Sequence, residues 1–353
     1  MKLKKILHLS VVASLMLVLL TACQGELYTP DSASGQETDD YVEVRVEAPE
    51  SETEETQDTQ DTTQEVVDVE EVDEAPVETP EEEPETEALE EESEQKPEQG
   101  ITVEFANQFD TEDTYDLELD PSTLDNTDTS WSFRRNKDHS PVTGYYDLDL
   151  ERYGAYFINQ EASEEKVMYL TFDEGYEYGF TPKILDVLKE NDVQAAFFVT
   201  KYFIDKEPEL IQRMVDEGHI VANHSNTHPA FPSLTGDEIY DELKTTNDRF
   251  KEVTGQDMDP FFRPPMGKYS ERSLYLVRKL GYRSIFWSMA YADWDVNKQP
   301  GKEVAYNHVM DNYHNGAIIL LHAVSESNTQ ALDDILKSMK EKGYRFGSLY
   351  ELE

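Results

Sequence analysis

The sequence predicts an α/β fold on a parallel sheet, either closed as a barrel or open and doubly wound. Three observations carry this. Val167 to Phe172 is an unbroken run of six β-branched, aromatic or aliphatic residues, as expected of a strand buried on both faces. From there to the last residues, strand-like and helix-like segments alternate. The first run also ends in Asp173-Glu174-Gly175, and two carboxylates at the end of a buried strand are costly unless they meet a cation, a metal or water. Functional groups gather at strand ends in such folds, so chemistry is expected there.

Each element has its own signal. Thr181 to Glu190 reads as a helix with Pro182 in its first turn. Ala195 to Thr200 reads as a strand, and Glu207 to Glu217 as a helix ended by Gly218. His219 to Asn223 is the next strand. Thr235 to Thr254 is a long helix with Thr235 and Glu238 as a capping box and Gly255 beyond its end. Asp259 to Arg263 is a short strand, and Ser270 to Leu280 a helix with Ser270 as N-cap. Arg283 to Ser288, Ala317 to Leu321 and Tyr344 to Phe346 complete the strands. Gly301 to His314 and Ser327 to Lys342 complete the helices. Seven strands fall slightly short of a regular eight-fold barrel.

Ahead of this region the composition changes. The 353 residues carry a formal charge of −46, which excludes a nucleic-acid binder with its basic stripe. Gln24 to Gly100 holds 30 acidic residues against Arg45 and Lys96, more than half of that charge. Such a segment cannot bury enough apolar surface to order itself, and its self-repulsion makes it an extended spacer. Bulky residues return at Trp131-Ser132-Phe133, where the folded domain is expected to begin. At the other end, Lys2, Lys4 and Lys5 precede an apolar run from Ile6 to Leu20, as in a secretory signal. About 15 apolar residues are short for an uncleaved spanning anchor. The expected organisation is a signal in residues 1–22, a lipid-anchored disordered tether in 23–130 and a catalytic domain in 131–353.

Several polar groups sit at the ends of the strands. His224 and His228 follow the third strand, and two histidines four apart can present both rings to one ion. With Asp173 and Glu174 ending another strand, two histidines and a carboxylate suit a catalytic divalent site, zinc first. Arg263-Pro264-Pro265 leaves the fourth strand, where an Arg can orient a carboxylate. His322 follows the apolar run Ile318 to Leu321. Asp293, beside Trp294, can bond it and raise its pKa, keeping it protonated as a general acid.

Two resemblances follow. Leu20-Thr21-Ala22-Cys23 resembles a bacterial lipobox, which implies cleavage before Cys23, the chain's single cysteine, and diacylation of its thiol. Thr171-Phe172-Asp173-Glu174-Gly175, His224-Ser225-Asn226-Thr227-His228, Arg263-Pro264-Pro265, Asp293-Trp294 and Leu320-Leu321-His322 stand in the order of the motifs of the polysaccharide deacetylase family. That family has the NodB homology domain and forms carbohydrate esterase family 4. Within it the likeness is to the muramic-δ-lactam deacetylases of the spore cortex, through Gly175-Tyr176-Glu177, Glu217-Gly218-His219-Ile220, Phe286-Trp287-Ser288 and Ala331-Leu332-Asp333-Asp334.

The resemblance implies a distorted (β/α) barrel of about seven parallel strands and metal-dependent removal of N-acetyl groups. It implies Asp173 as general base held by Arg263, with Glu174, His224 and His228 as metal ligands. The N–H of Met266 would bind the oxyanion, Leu320 would line the acetyl pocket with Trp294 beside the substrate, and His322 would be the general acid supported by Asp293. Position 174 departs from the pattern: the family has Asp there, and the δ-lactam branch can carry Asn. The expected cofactor is one divalent ion, zinc, with cobalt or manganese as alternatives. The expected substrate is N-acetylmuramic acid of peptidoglycan, acted on by a membrane-anchored monomer outside the cytoplasm. The alternatives are a deacetylase of another N-acetylglucosamine polymer such as chitin oligomers, or a glycan-binding module without activity.

Overall fold

The computed structural model describes residues 119–136 and 138–352. The expected signal segment, Cys23 and the tether up to residue 118 lie outside them. Among the described residues no helix is long and apolar enough to cross a membrane.

All seven predicted strands form, and Ala155–Tyr156 adds an eighth. In chain order they are β1 (Ala155–Tyr156), β2 (Val167–Glu174), β3 (Ala196–Val199), β4 (Ile220–Asn223), β5 (Phe261–Phe262), β6 (Arg283–Ile285), β7 (Ala317–His322) and β8 (Arg345–Phe346). The sheet runs β7-β2-β3-β4-β5-β6-β1, with β8 also paired to β2, and every pairing is parallel. β2 is the organising strand. It pairs with β7 from Met168 to Asp173 on one side, and with β8 and then β3 on the other. The ring closes through single bridges, Met289 to Ile319 and Ile158 to Ala317. A barrel closed that thinly is distorted.

Helices α1 (Thr181–Glu190), α2 (Lys201–Lys206), α3 (Pro208–Asp216), α4 (Gly236–Thr254), α5 (Glu271–Lys279), α6 (Lys302–Asn312) and α7 (Glu326–Glu341) lie outside the sheet. The Thr235–Glu238 capping box forms, and Gly255 ends α4 in the left-handed region at φ 79°. α2 escapes a periodicity reading because six residues make too few turns. It starts because the Thr200 hydroxyl accepts the Phe203 N–H at 3.2 Å.

Period-two alternation sorts the side chains of β2. Met168, Leu170 and Phe172 face the helices and share a cluster with Ile184, Leu188, Ile335 and Leu336. Val167 and Tyr169 face the barrel interior with Ala196, Phe198, Ala222, Phe261, Ile285 and Ile318.

The packed region begins before Trp131, the expected boundary. Leu119 and Leu124 pack against the cluster around α5. Thr129–Ser130 pairs antiparallel with Lys268–Tyr269. Asn126 donates to the Pro232 carbonyl at 2.8 Å and accepts from the Ser270 hydroxyl at 2.7 Å. Tyr275 donates to the Leu119 carbonyl at 2.7 Å. The acidic composition of this stretch hides those anchors. A chain shortened to start at Trp131 should therefore unfold at lower denaturant than one starting at Leu119. The expected difference is at least about 2 kcal/mol, from two lost apolar contacts and several hydrogen bonds of about 1 kcal/mol each.

Candidate active site

The mouth of the barrel continues the inward-facing register. Asp173 follows Val167, Tyr169 and Thr171; His224 follows Ala222; Arg263 follows Phe261; Leu320 and His322 follow Ile318. Each continues the inward register beyond the interior packing; Asp173, His224, Leu320 and His322 wall one cavity, while Arg263 stays buried. It measures about 480 Å³, and Asp173, His224, His228, Met266, Trp287, Trp294, Leu320 and His322 are in its wall.

Arg263 crosses the interior without exposure to solvent. Its Nη1 donates to Asp173 Oδ1 at 2.7 Å and its Nε to the Ile285 carbonyl at 3.0 Å. Its guanidinium lies 4.1 Å over the ring of Phe198. Burial works to raise the Asp173 carboxyl, but Arg263, then His224 and His322, outweigh it and hold the group below the usual carboxylate range. Asp173 is a preformed anion.

Beside it, at the paired position of β7, the tuning is opposite. His322 Nδ1 and its backbone N–H both bond Asp293, at 2.7 and 2.9 Å. Burial works to lower the His322 ring, and the Asp293 charge and hydrogen bond overcome it, raising the pKa. Asp293 is steadied in turn by Asn328 Nδ2 at 2.5 Å, and Tyr291 donates to Asn328 Oδ1 at 2.5 Å. The sequence reading names Asp293 but not Asn328, because a helical Asn carries no local signal of a partner 35 residues away.

The histidine loop stores strain. Ser225 and His228 sit at φ 73° and 60°, a region that costs L-residues roughly 1–2 kcal/mol each. The loop is held by α4: the Glu242 carboxylate accepts the N–H groups of Asn226 and Thr227, both at 2.8 Å, and the Thr227 hydroxyl at 2.6 Å. His228 N–H donates to Ser225 Oγ at 2.9 Å. His224 Nδ1 lies 2.9 Å from the Arg263 carbonyl, which can only accept, so Nδ1 carries the proton and Nε2 its lone pair. His228 Nε2 faces it at 3.2 Å. Burial keeps both rings neutral, with His228 lowered to about 3. Met266, at φ 57°, presents the turn after Pro264-Pro265 to the cavity. The Trp294 indole N–H is buried without a partner among the described residues.

Glu174 is elsewhere. Its position in β2 follows the outward register of Met168, Leu170 and Phe172. It is fully buried, contacted by the Thr181 hydroxyl at 3.3 and 3.4 Å, and absent from the cavity wall. Burial, reinforced by Glu177, raises its carboxyl well above the usual range. The expected third ligand is thus turned toward the N-terminus of α1, because neighbours on a strand face opposite sides. Among the described residues no three His, Cys, Asp or Glu side chains form an ion-holding group. The donor chemistry still fits a divalent ion at two positions, His224 and His228. The carboxylate facing them is Asp173, 3.6 Å from His224 Nε2.

A distorted parallel barrel thus carries an Arg-held carboxylate beside an Asp-held histidine at its mouth, and this chain is similar to known hydrolases. The polysaccharide deacetylase family model matches residues 160–285. A peptidoglycan-N-acetylmuramic acid deacetylase of Bacillus subtilis, PdaA, is 44% identical over 229 residues, 64% of this chain and 86% of its own. Its structure, described as a family 4 carbohydrate esterase, superposes with a TM-score of 0.63 and covers 65% of this chain and 98% of that one. A family 4 pseudoenzyme from Bacillus anthracis is 31% identical, with a TM-score of 0.52, covering 56% of this chain and 68% of its own. The chain belongs to the polysaccharide deacetylase family.

Because Glu174 faces the helix layer, Glu174→Gln should leave zinc affinity within about threefold, while His228→Ala should weaken it about 10- to 100-fold. Calorimetric titration of the two variants checks this.

Proposed function

We propose that the chain is a peptidoglycan N-deacetylase, held at the outer face of the membrane through Cys23, that removes acetyl groups from N-acetylmuramic acid. The observation that carries this reading is the adjacent pair in one cavity wall: Asp173, held low by Arg263, and His322, raised by Asp293. The likeness to PdaA supports the muramic substrate, and the lipobox residues support the anchor.

The chemistry is amide hydrolysis. Asp173 Oδ2 removes a proton from water as its oxygen bonds the acetyl carbonyl carbon. The carbonyl oxygen becomes the oxyanion, and the Met266 N–H is the group to stabilise it. Leu320 and Trp287 exclude solvent around the acetyl methyl. His322 then donates its proton to the sugar nitrogen, the C–N bond breaks, and acetate and a free amine leave. His224 and His228 are the residues to hold a divalent ion, which supplies Lewis acidity toward the water and carbonyl oxygen when bound.

One observation favours a glycan-binding module without activity: Glu174 is withdrawn from the histidine pair. Acetate release decides between the readings. Active chain should release acetate from muramic-acid glycan faster than from chitin oligomers, and Asp173→Asn or His322→Ala should lower kcat by about 10²–10⁴. No acetate from any glycan would leave the binding module standing.

The pH profile follows from the same pairs. The acid must be protonated, so activity falls as pH rises through the raised His322 pKa, above the ordinary 6.5. Removing the anion in Asp293→Asn should move this alkaline limb of kcat/KM down by about one unit or more. The acid limb, set by Asp173 below 3.8, should stay in place.

A further inference from the structure

The motif Gly175-Tyr176-Glu177 has no part in the hydrolysis, yet its geometry is built. Glu177 accepts the Thr181 N–H, with its oxygens at 3.3 and 3.4 Å, which pins the β2–α1 loop onto the helix start. Gly179 turns the chain at φ 87°. Tyr176 and Tyr178, on either side of Glu177, are thereby held outward, 40% and 54% exposed. Tyr178 packs edge-on to Tyr176 at 6.5 Å and against Phe180 at 6.1 Å, and Phe180 anchors the loop on the core. On α2, Tyr202 is 54% exposed. Tyr176 and Tyr202 both line the catalytic cavity.

These rings do little for the fold. Tyrosines packed into this domain place their hydroxyls, as Tyr291 does on Asn328, Tyr344 on Asn315 and Tyr275 on Leu119. The hydroxyls of Tyr176, Tyr178 and Tyr202 have no partner among the described residues. Five tyrosines are strongly exposed among the described residues; two of them line this cavity and a third, Tyr178, packs on Tyr176. Grouped exposed aromatics of this kind mark contact surfaces.

We propose that Tyr176, Tyr178 and Tyr202 form a stacking rim that binds the sugar rings flanking the one deacetylated, on the same glycan chain. The proposal rests on the glycan reading above. Its occupant follows from continuity with the cavity: a polymer whose acetyl group enters beside Asp173 must pass over this rim. A pyranose offers an apolar C–H face to a phenol ring and leaves its hydroxyls to water, which suits side chains that are exposed yet apolar-bodied. Tyr176 and Tyr202 are substrate-positioning residues that set a chain-length requirement.

The test uses the full chain and two probes, a disaccharide and a hexasaccharide of alternating N-acetylglucosamine and N-acetylmuramic acid. In the Asp173→Asn background, or in His322→Gln should that variant not fold, calorimetry should show tighter binding of the hexasaccharide. Adding Tyr176→Ala or Tyr202→Ala should weaken the hexasaccharide about tenfold and the disaccharide less than about twofold, with Phe at either position restoring affinity. In the active chain the same changes should raise KM for the hexasaccharide and leave kcat unaltered. Equal losses for both probes, or no loss for the hexasaccharide, would overturn the rim. Failure of the catalytic reading looks different: wild type would release no acetate while the length-dependent binding persisted.

Discussion

The contact on which the site depends is the ion pair between Asp173 and Arg263. Both groups are out of solvent, and an isolated buried charge costs several kcal/mol even after relaxation. The pair is sustained because Arg263 has further partners: the Ile285 and Phe286 carbonyls and the face of Phe198. Its backbone carbonyl also takes the Nδ1 proton of His224. One residue therefore fixes the charge of Asp173, its direction and the tautomer of the neighbouring histidine. Replacing it would unpair a buried carboxylate, the costly kind of change, so loss of activity and loss of stability would arrive together.

The second constraint is the strand period. A barrel interior filled by Tyr169, Phe198, Phe261 and Ile318 leaves the next inward position on each strand as the floor of a cavity. Asp173, Arg263 and His322 occupy that level because they are two or four residues beyond an interior residue. The histidine loop cannot follow from strand geometry, and there the chain accepts left-handed Ser225 and His228. The Glu242 carboxylate and Ser225 hydroxyl offset that strain with hydrogen bonds to the loop.

Much of this was legible in the sequence because it is local. Apolar runs named seven strands, caps such as Thr235 and Ser270 set helix starts, and the strand-end polar groups pointed to the site. What was not legible depends on partners distant in sequence. Asn328, Glu242 and the anchors from Leu119 to Ser130 acquire roles only when helices pack. β1 is two residues long and has no pattern to show. Glu174 is the instructive case, since the alternation that makes Val167 to Glu174 a strand also sends adjacent carboxylates to opposite faces. Of the two, Asp173 alone is in the cavity wall.

Two aspartates of this site show how surroundings divide labour between identical groups. Asp173 meets a guanidinium and becomes a firmly ionised carboxylate, which makes it a weak base in solution terms. Asp293 meets an imidazole and an amide, so its charge is spent on keeping His322 protonated. In the proposed hydrolysis, environments that drive Asp173 down and His322 up suit the first to the base and the second to the acid. In that proposal a base of low pKa acts through placement, with water and carbonyl held within reach in the cavity. Leu320 and Trp287 supply an apolar part of the wall, and the buried Arg263 fixes the direction of the carboxylate.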